Sequence, residues 1–386
     1  MNDLKDKKIV LVTHILADGA PTDLKKYLIP RIKRFLFIGH PFSFAKDKRS
    51  FFEFYKDRKT IKSGRIKDYY LPEIVRYIKD LFLTVYWVTK SHLVFDFYIG
   101  ADNLNTLAGI ILRYFGRVKR VIYYTIDYSP RRFKNAILNK IYHFIERYCA
   151  CRTDLVWNIS PRIQEGRIKN GLNPKKAAKY TVVPQGVWYS RIKRLPFEEI
   201  EKHTLVFMGN ILKKQGIQYI LYAIPLVIKE IPDFKFLVIG DGKYLSELKN
   251  EVKKLNIKEH VEFTGYIDDH RDIEDMIAKS ALAIAPYEKE DKDNEINWTH
   301  YADPGKIKVY LGAGVPVLLT DVPFNAKEIE RNKCGFVIDY EKETIARKVI
   351  DLMKNEERLK QYRKNAMGYA KQFDWNTIFD KALSNF

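Results

Sequence analysis

The sequence predicts an α/β protein made of two doubly wound domains, each with a parallel sheet covered by helices. Three observations carry this. The chain has 386 residues, 46% of them hydrophobic, which is more than one average core accommodates. Short apolar runs alternate with stretches of helical spacing along most of its length, the pattern of βαβ units. The stretch from Tyr301 to Pro316 reads as a loop, a helix and the start of another buried strand, with the punctuation of a ligand-binding helix start. There Asp303 is expected as N-cap and Pro304 at the first helical position. Gly305 leaves its backbone open to close approach. The amides of Gly305, Lys306 and Ile307 would then face an anion, with the Lys306 ammonium beside them. A phosphate cradle and an ordinary capped helix account for this stretch equally well.

In chain order, Lys8–His14 is a central strand leading into the polar loop Ala17–Asp23 and a helix from Leu24. Residues 46–70 read as a basic, aromatic, irregular excursion. Phe95–Gly100 and Arg120–Asp127 are further strands, separated by a helix starting near Asn105. Asp127 falls at a strand's C-terminal end, where open α/β sheets bind ligands. Asp154–Ser160 and Tyr180–Pro184 close the first half, and a basic linker spans Ser190–Pro196. The alternation then becomes more regular. Strands at Thr204–Asn210, Phe234–Gly242, Val261–Tyr266 and Leu282–Pro286 are interleaved with helices, one marked by Ile217, Ile220, Leu221, Ile224 and Val227. After the helix at Lys306 come a strand from Val315, another at Phe336–Ile338, and helices to the end.

Composition narrows the function. The net charge is +20, and residues 1–200 hold all of it, with 39 Lys+Arg against 18 Asp+Glu. Runs such as Lys25–Phe37 mix cations with large apolar side chains, which suits an anionic membrane surface or a polyanionic acceptor. A solvated basic face over a buried core is the plainer alternative. No base-reading motif accompanies the charge, so nucleic acid is not expected as a partner. Three cysteines make neither a disulfide framework nor a zinc spacing, which fits a reducing cytoplasm. The start of the chain lacks the apolar run of a leader, and Lys90, His92 and Asp96 interrupt the most apolar stretch, Leu81–Ala101. The expected location is the cytoplasm, with peripheral attachment to the inner face of the membrane. The acidic loop Glu288–Glu295 has interleaved lysines and no calcium-loop glycine, so no metal site is expected there.

At this point the motifs resemble a known family. Gly209-Asn210-Ile211 with Gln215-Gly216, Val238–Gly242, Val261–Gly265 and Gly312–Val317 stand in the order seen in retaining glycosyltransferases of family 4, the "glycosyl transferases group 1". Val183-Pro184-Gln185-Gly186-Val187 is similar to that family's interdomain motif. The resemblance covers nearly all of the C-terminal half and the N-terminal half more loosely. It implies a GT-B fold with an acceptor-binding domain at 1–190 and a nucleotide-sugar-binding domain at 197–372. The terminal helix, 373–386, would return to the first domain, and catalysis would take place in the cleft.

Residue by residue, the resemblance implies donor contacts from Gly209, Asn210, Lys214, Gln215, Gly240, Thr264, Gly265 and Tyr266, together with Asp303, Pro304, Gly305 and Ile307. Asn210 and Gln215 stand where the family usually has Arg and Lys on the donor diphosphate, with Lys213 and Lys214 nearby. Tyr301 and Val309 stand where it has a Glu-x7-Glu pair. Lys306 is expected to stabilise the departing diphosphate. Asp127 is expected as a positioning group or base, with a strand-end cap as the alternative. Asp18, Gly19, Ala20 and Thr22 resemble a loop on the acceptor side, and His14 is expected to be structural. No cofactor or metal is required beyond a UDP- or GDP-sugar donor. The expected reaction is retaining transfer of a sugar to a saccharide acceptor, lipid-linked, in cell-surface glycan or glycolipid assembly. The alternative is a non-catalytic relative that binds a glycan or sugar nucleotide as an assembly subunit.

Overall fold

The computed structural model describes residues 4–15, 19–42, 45, 47–67, 71–290 and 296–384. Two compact units divide the chain: Met1–Pro184 with Trp375–Phe386, and Gln185–Asp374. The division falls at Pro184 because the next residues already belong to the second unit. The Gln185 amide donates to Asp303 Oδ2 at 2.8 Å, and Val187 pairs with Asp374.

The first unit holds the strands β1 (Lys8–Ile15), β2 (Arg34–Pro41), β3 (Phe51–Lys56), β4 (Lys59–Arg65), β5 (Phe95–Ala101), β6 (Val118–Thr125), β7 (Leu155–Asn158) and β8 (Tyr180–Val182). They form one sheet in the order β4-β3-β2-β1-β5-β6-β7-β8. Pairing is parallel except in the hairpin β3–β4 and its attachment to β2. That hairpin corrects the irregular excursion expected over 46–70. Phe52 and Phe54 alternate onto the sheet's packed face against Trp87, and Asp57 and Arg58 take positive φ values of 49° and 69° for the tight turn. The lysines of β4 face solvent on the edge strand, which is why the segment reads as basic and irregular.

The helix Trp375–Leu383 belongs to this unit and packs on the helix Ala20–Leu28. The Tyr27 hydroxyl donates to the Asp380 carboxylate, Arg31 Nη2 donates to Asn376 Oδ1 at 2.9 Å, and the Tyr27 and Phe379 rings lie 5.3 Å apart.

The second unit holds β9 (Glu201–Met208), β10 (Lys235–Ile239), β11 (Val261–Gly265), β12 (Ser280–Ala285), β13 (Val317–Leu319) and β14 (Gly335–Val337). These pair in parallel in the order β11-β10-β9-β12-β13-β14. Leu205 and Phe207 enter the core on one face, and Val206 enters the core on the other. Burial on both faces explains why these strands read as continuous apolar runs. The order switches at β9, between β10 and β12. Ligands bind open parallel sheets at such a switch point.

Candidate functional site

Around the switch point of the second unit, three strand ends finish in glycines with left-handed backbone: Gly209 after β9 (φ 137°), Gly240 after β10 (φ 134°) and Gly265 closing β11 (φ 73°). Gly209 N–H donates to Ile239 O at 2.9 Å and Gly240 N–H to Gly265 O at 3.0 Å. The three chains are so close that a Cβ on Gly240 would stand 2.1 Å from Gly209 O. Glycine there keeps the backbone open and turned towards the strand ends.

Lys306 reaches this floor from the first turn of the helix Gly305–Gly312; a Cβ on Gly209 would lie 2.9 Å from its Nζ. The ammonium is enclosed by the Phe207 ring at 4.1 Å and the Tyr287 ring at 5.3 Å, and it donates to Gln215 Oε1 at 2.8 Å. Among the described residues no carboxylate pairs with it. Burial without a counter-charge pushes its pKa down to about 7. Gln215, itself buried, thus belongs to the same cluster as Lys306, Gly209 and Gly240.

The helix start differs from the expected capping. Pro304 is the N-cap residue, no side chain caps the first turn, and the Ile307 amide donates to Pro304 O at 3.3 Å. Asp303 is turned inward, 4% exposed, where it pairs with the buried Lys308 ammonium and accepts from the Gln185 amide. A carboxylate with a buried ammonium beside it gains more from that partner than from capping exposed amides. Asp303 therefore anchors Gln185 to the helix start. Gly305 makes the approach possible, since a Cβ there would meet Gln185 Cγ at 3.1 Å. Gly314, at φ 77°, ends the helix as expected, with Val315 N–H donating to Tyr310 O.

The remaining expected donor residues are more scattered. Asn210 is exposed, Tyr266 is 75% exposed at the end of β11, and the Thr264 hydroxyl donates to Gly265 O at 3.0 Å. Lys214 instead lies over the Trp298 ring at 4.4 Å, where it lines a cavity of about 770 Å³ with Tyr219, Glu288 and Tyr340. Tyr301 is buried, and Val309 is half-buried on the helix. Residues 291–295 of the acidic loop lie outside the described residues.

In the first unit, a cavity of about 60 Å³ opens at the ends of β1, β5 and β6, lined by His14, Asp102, Asp127, Arg132 and Tyr142 among others. Asp127 forms an ion pair with Arg132 Nη1 at 2.5 Å, a pairing compatible with either expected role. Asp102 was not singled out in the sequence. It takes φ 67° after β5, and its Oδ1 accepts from the Ile126 and Asp127 amides at 3.3 and 3.4 Å. Burial, followed by the Asp127 charge, lifts its carboxyl to about 6. The site therefore holds a carboxylate paired with arginine and a second carboxyl near neutrality. The only hint in the sequence is Gly100-Ala101-Asp102 at a strand end, which also reads as a helix start.

His14, which lines the same cavity, has neighbours on both ring nitrogens. Asn105 Nδ2 lies 3.0 Å from its Nδ1, and the buried Asp80 carboxylate is 3.7 Å from its Nε2. On the loop after β1, Gly19 N–H donates to Thr22 Oγ1 at 2.8 Å at the start of the helix Ala20–Leu28, with Ala20 buried. Asp18 lies outside the described residues.

Comparison with known proteins agrees with this architecture. Residues 202–355 match the family model described as glycosyl transferases group 1. The chain is 26% identical over 192 residues to spore coat protein SA of Bacillus subtilis, covering 47% of this chain and 48% of that one. It is 32% identical over 114 residues to alpha-monoglucosyldiacylglycerol synthase of Streptococcus pneumoniae, covering 30% and 25%. In these matches the chain spans between a quarter and about half the length of the curated relatives. Among solved structures, HepE of Anabaena in complex with UDP superimposes with a TM-score of 0.66 at 15% identity, covering 98% of this chain and 100% of that one. Taken with the two doubly wound sheets, these likenesses establish the architecture as GT-B, and residues 202–355 of the second unit resemble the glycosyl transferases group 1 family.

Proposed function

We propose that the protein is a retaining glycosyltransferase that needs no metal and moves a sugar from a nucleotide-diphosphate sugar to a saccharide acceptor, lipid-linked, in glycolipid or cell-surface glycan assembly. The observation that carries this is Lys306: an ammonium held against two aromatic rings with no carboxylate partner among the described residues, beside Gly209 and in the first turn of a helix whose N-cap is Pro304. A half-buried cation with no counter-ion among the described residues is costly, and a diphosphate would supply the missing charge.

As the glycosidic bond breaks, negative charge gathers on the diphosphate. Lys306 and the first-turn amides of Gly305 and Lys306 are aimed at that charge in advance, which is the largest stabilisation available to such a reaction. Glycine at 209 and 240 lets the phosphates approach the backbone. In the retaining course the departing phosphate assists the incoming hydroxyl on the same face. On the acceptor side, Asp127 held by Arg132 orients a sugar hydroxyl, and Asp102 shares its field. The lipid-linked acceptor draws support from the basic first half and from a relative named as a glucosyldiacylglycerol synthase.

The test is a thermal-shift screen of UDP-, GDP- and ADP-sugars, followed by a transfer assay. A nucleotide sugar at 100 times its dissociation constant should stabilise by ~2.7 kcal/mol, and Lys306→Ala should abolish the shift. A shift that survives Lys306→Ala would remove the lysine from the donor site. The alternative of a non-catalytic binding subunit draws support from the apolar Val309 and the buried Tyr301 at the family's acidic positions. Donor binding with no transfer or hydrolysis under any acceptor condition would favour it.

A further inference from the structure

An apolar groove of about 310 Å³ runs across the first unit between the helices Glu73–Lys90 and Ala136–Arg152. Leu104 and Leu107 of the helix Asn103–Tyr114 form its floor, Ile78 and Leu81 one wall, and Leu138 and Ile141 the other. Each wall helix carries an apolar stripe at helical spacing that runs from the groove lining, Ile74, Ile78 and Ile141, out to solvent. Ile74, Ile78 and Phe82 are 53%, 51% and 67% exposed; Ile137, Ile141 and Phe144 are 68%, 49% and 63% exposed. Six large apolar side chains at such exposure exceed what an unpartnered soluble surface normally carries.

Two features identify what covers this face. The groove does not close at its upper end: Tyr77, Asn103, Leu104, Phe133 and Tyr142 line both it and the polar cavity of Asp102, Asp127 and Arg132. An occupant therefore needs a hydrocarbon part and a polar part joined end to end. The rim is also basic. Residues 129–145 contain Arg131, Arg132, Lys134 and Lys140 and no acidic residue, and Lys134 and Lys140 are exposed. That charge complements an anionic lipid surface rather than a second copy of this basic chain.

We infer that the groove holds one hydrocarbon chain of a membrane lipid acceptor, whose head enters the Asp102–Asp127–Arg132 cavity while the two outer stripes rest in the bilayer interface. This deepens the proposed transfer reaction and rests on it for the identity of the lipid as acceptor, but not for the binding itself.

The experiment uses the full chain and two probes. In flotation with phosphatidylcholine vesicles, with and without phosphatidylglycerol, binding is expected only with the anionic lipid. It should be lost in Ile78→Ser/Ile141→Ser and weakened in Lys134→Ala/Lys140→Ala. In solution, a pyrene-labelled dodecanoate is expected to bind the wild type and to lose at least about tenfold in affinity when Leu107→Trp fills the groove, the effect of denying burial to two or more methylenes. Ile141→Asp, on the exposed wall, provides the same test where the Trp variant fails to fold. Unchanged probe binding in both variants, or no vesicle binding by the wild type, overturns the inference. The nucleotide-sugar thermal shift is measured in the same samples. If chain binding fails while the shift and transfer persist, only the groove assignment falls; if the shift fails while the chain binds, only the transfer reading falls.

Discussion

Donor affinity should depend on pH through Lys306, and the sign is fixed by its surroundings. In the free protein, burial between Phe207 and Tyr287 holds the amine at about 7, well below the 10.5 of a free lysine. A bound diphosphate favours the charged form and raises that value again, so binding takes up a proton wherever the free amine is neutral. The protonated fraction of the free protein falls from about 0.9 at pH 6 to about 0.03 at pH 8.5, given a midpoint near 7. The donor dissociation constant should therefore rise about 30-fold over that range, or ~2 kcal/mol. Isothermal titration with a nucleotide sugar, repeated in two buffers of different ionisation enthalpy, measures both affinity and proton uptake. About half a proton is expected at pH 7 and nearly a whole one at pH 8.5. Lys306→Arg should flatten the profile, because guanidinium stays charged throughout. A flat wild-type profile with no proton uptake would refute the claim that the amine lacks a counter-charge in the free protein. The same depression destabilises the unliganded fold, fully below pH 7 and progressively less as pH rises towards 10.5. Lys306→Met should accordingly raise Tm most at acid pH.

Three further outcomes follow from the same geometry. Asp303→Ala leaves Lys308 buried without its partner and should cost ~3–5 kcal/mol in urea unfolding followed by tryptophan fluorescence, whereas the double variant Asp303→Ala/Lys308→Met should recover part of that loss. Asp102→Asn removes a carboxylate that the fold ionises reluctantly, so it should raise Tm at pH 7.5, above the shifted value of about 6, and leave Tm nearly unchanged below pH 4; equal effects at both pH values would contradict the assignment. Gln215→Lys alone sets a second ammonium against Lys306 and should weaken donor binding, while Gln215→Lys with Lys306→Gln should restore it, as read by the nucleotide-sugar thermal shift.

Much of the second unit is legible in the sequence because its determinants are local. Buried parallel strands give apolar runs, left-handed strand ends demand glycine at 209 and 240, and the helix at Lys306 ends at a glycine in the left-handed region. The β3–β4 hairpin is less legible because its edge position puts lysines outward, so that charge masks the alternation of Phe52 and Phe54. Asp102 escapes notice for a different reason. Its raised pKa comes first from burial that only the assembled cavity provides, and then from Asp127, 25 residues away in sequence. Asp303 looks like a cap in sequence for the same kind of reason. Its competing partners, Lys308 and the Gln185 amide, become available only once the chain from Pro184 packs against the helix start.

One departure from the family pattern, Gln215, has a local physical account. A lysine at 215 would approach the strand-end floor from the β9 side; here a neutral Gln215 occupies that place and accepts from Lys306, which approaches from the helix instead. The ammonium comes from the first turn of the helix, whose N-terminal dipole also favours an anion near Gly209. Two lysines there would repel each other in an enclosed space, which explains why the position facing Lys306 is an amide. On the proposed reading, the ammonium of Lys306, held by two aromatic rings and Gln215 with no carboxylate beside it among the described residues, takes the place of the family's lysine at 215.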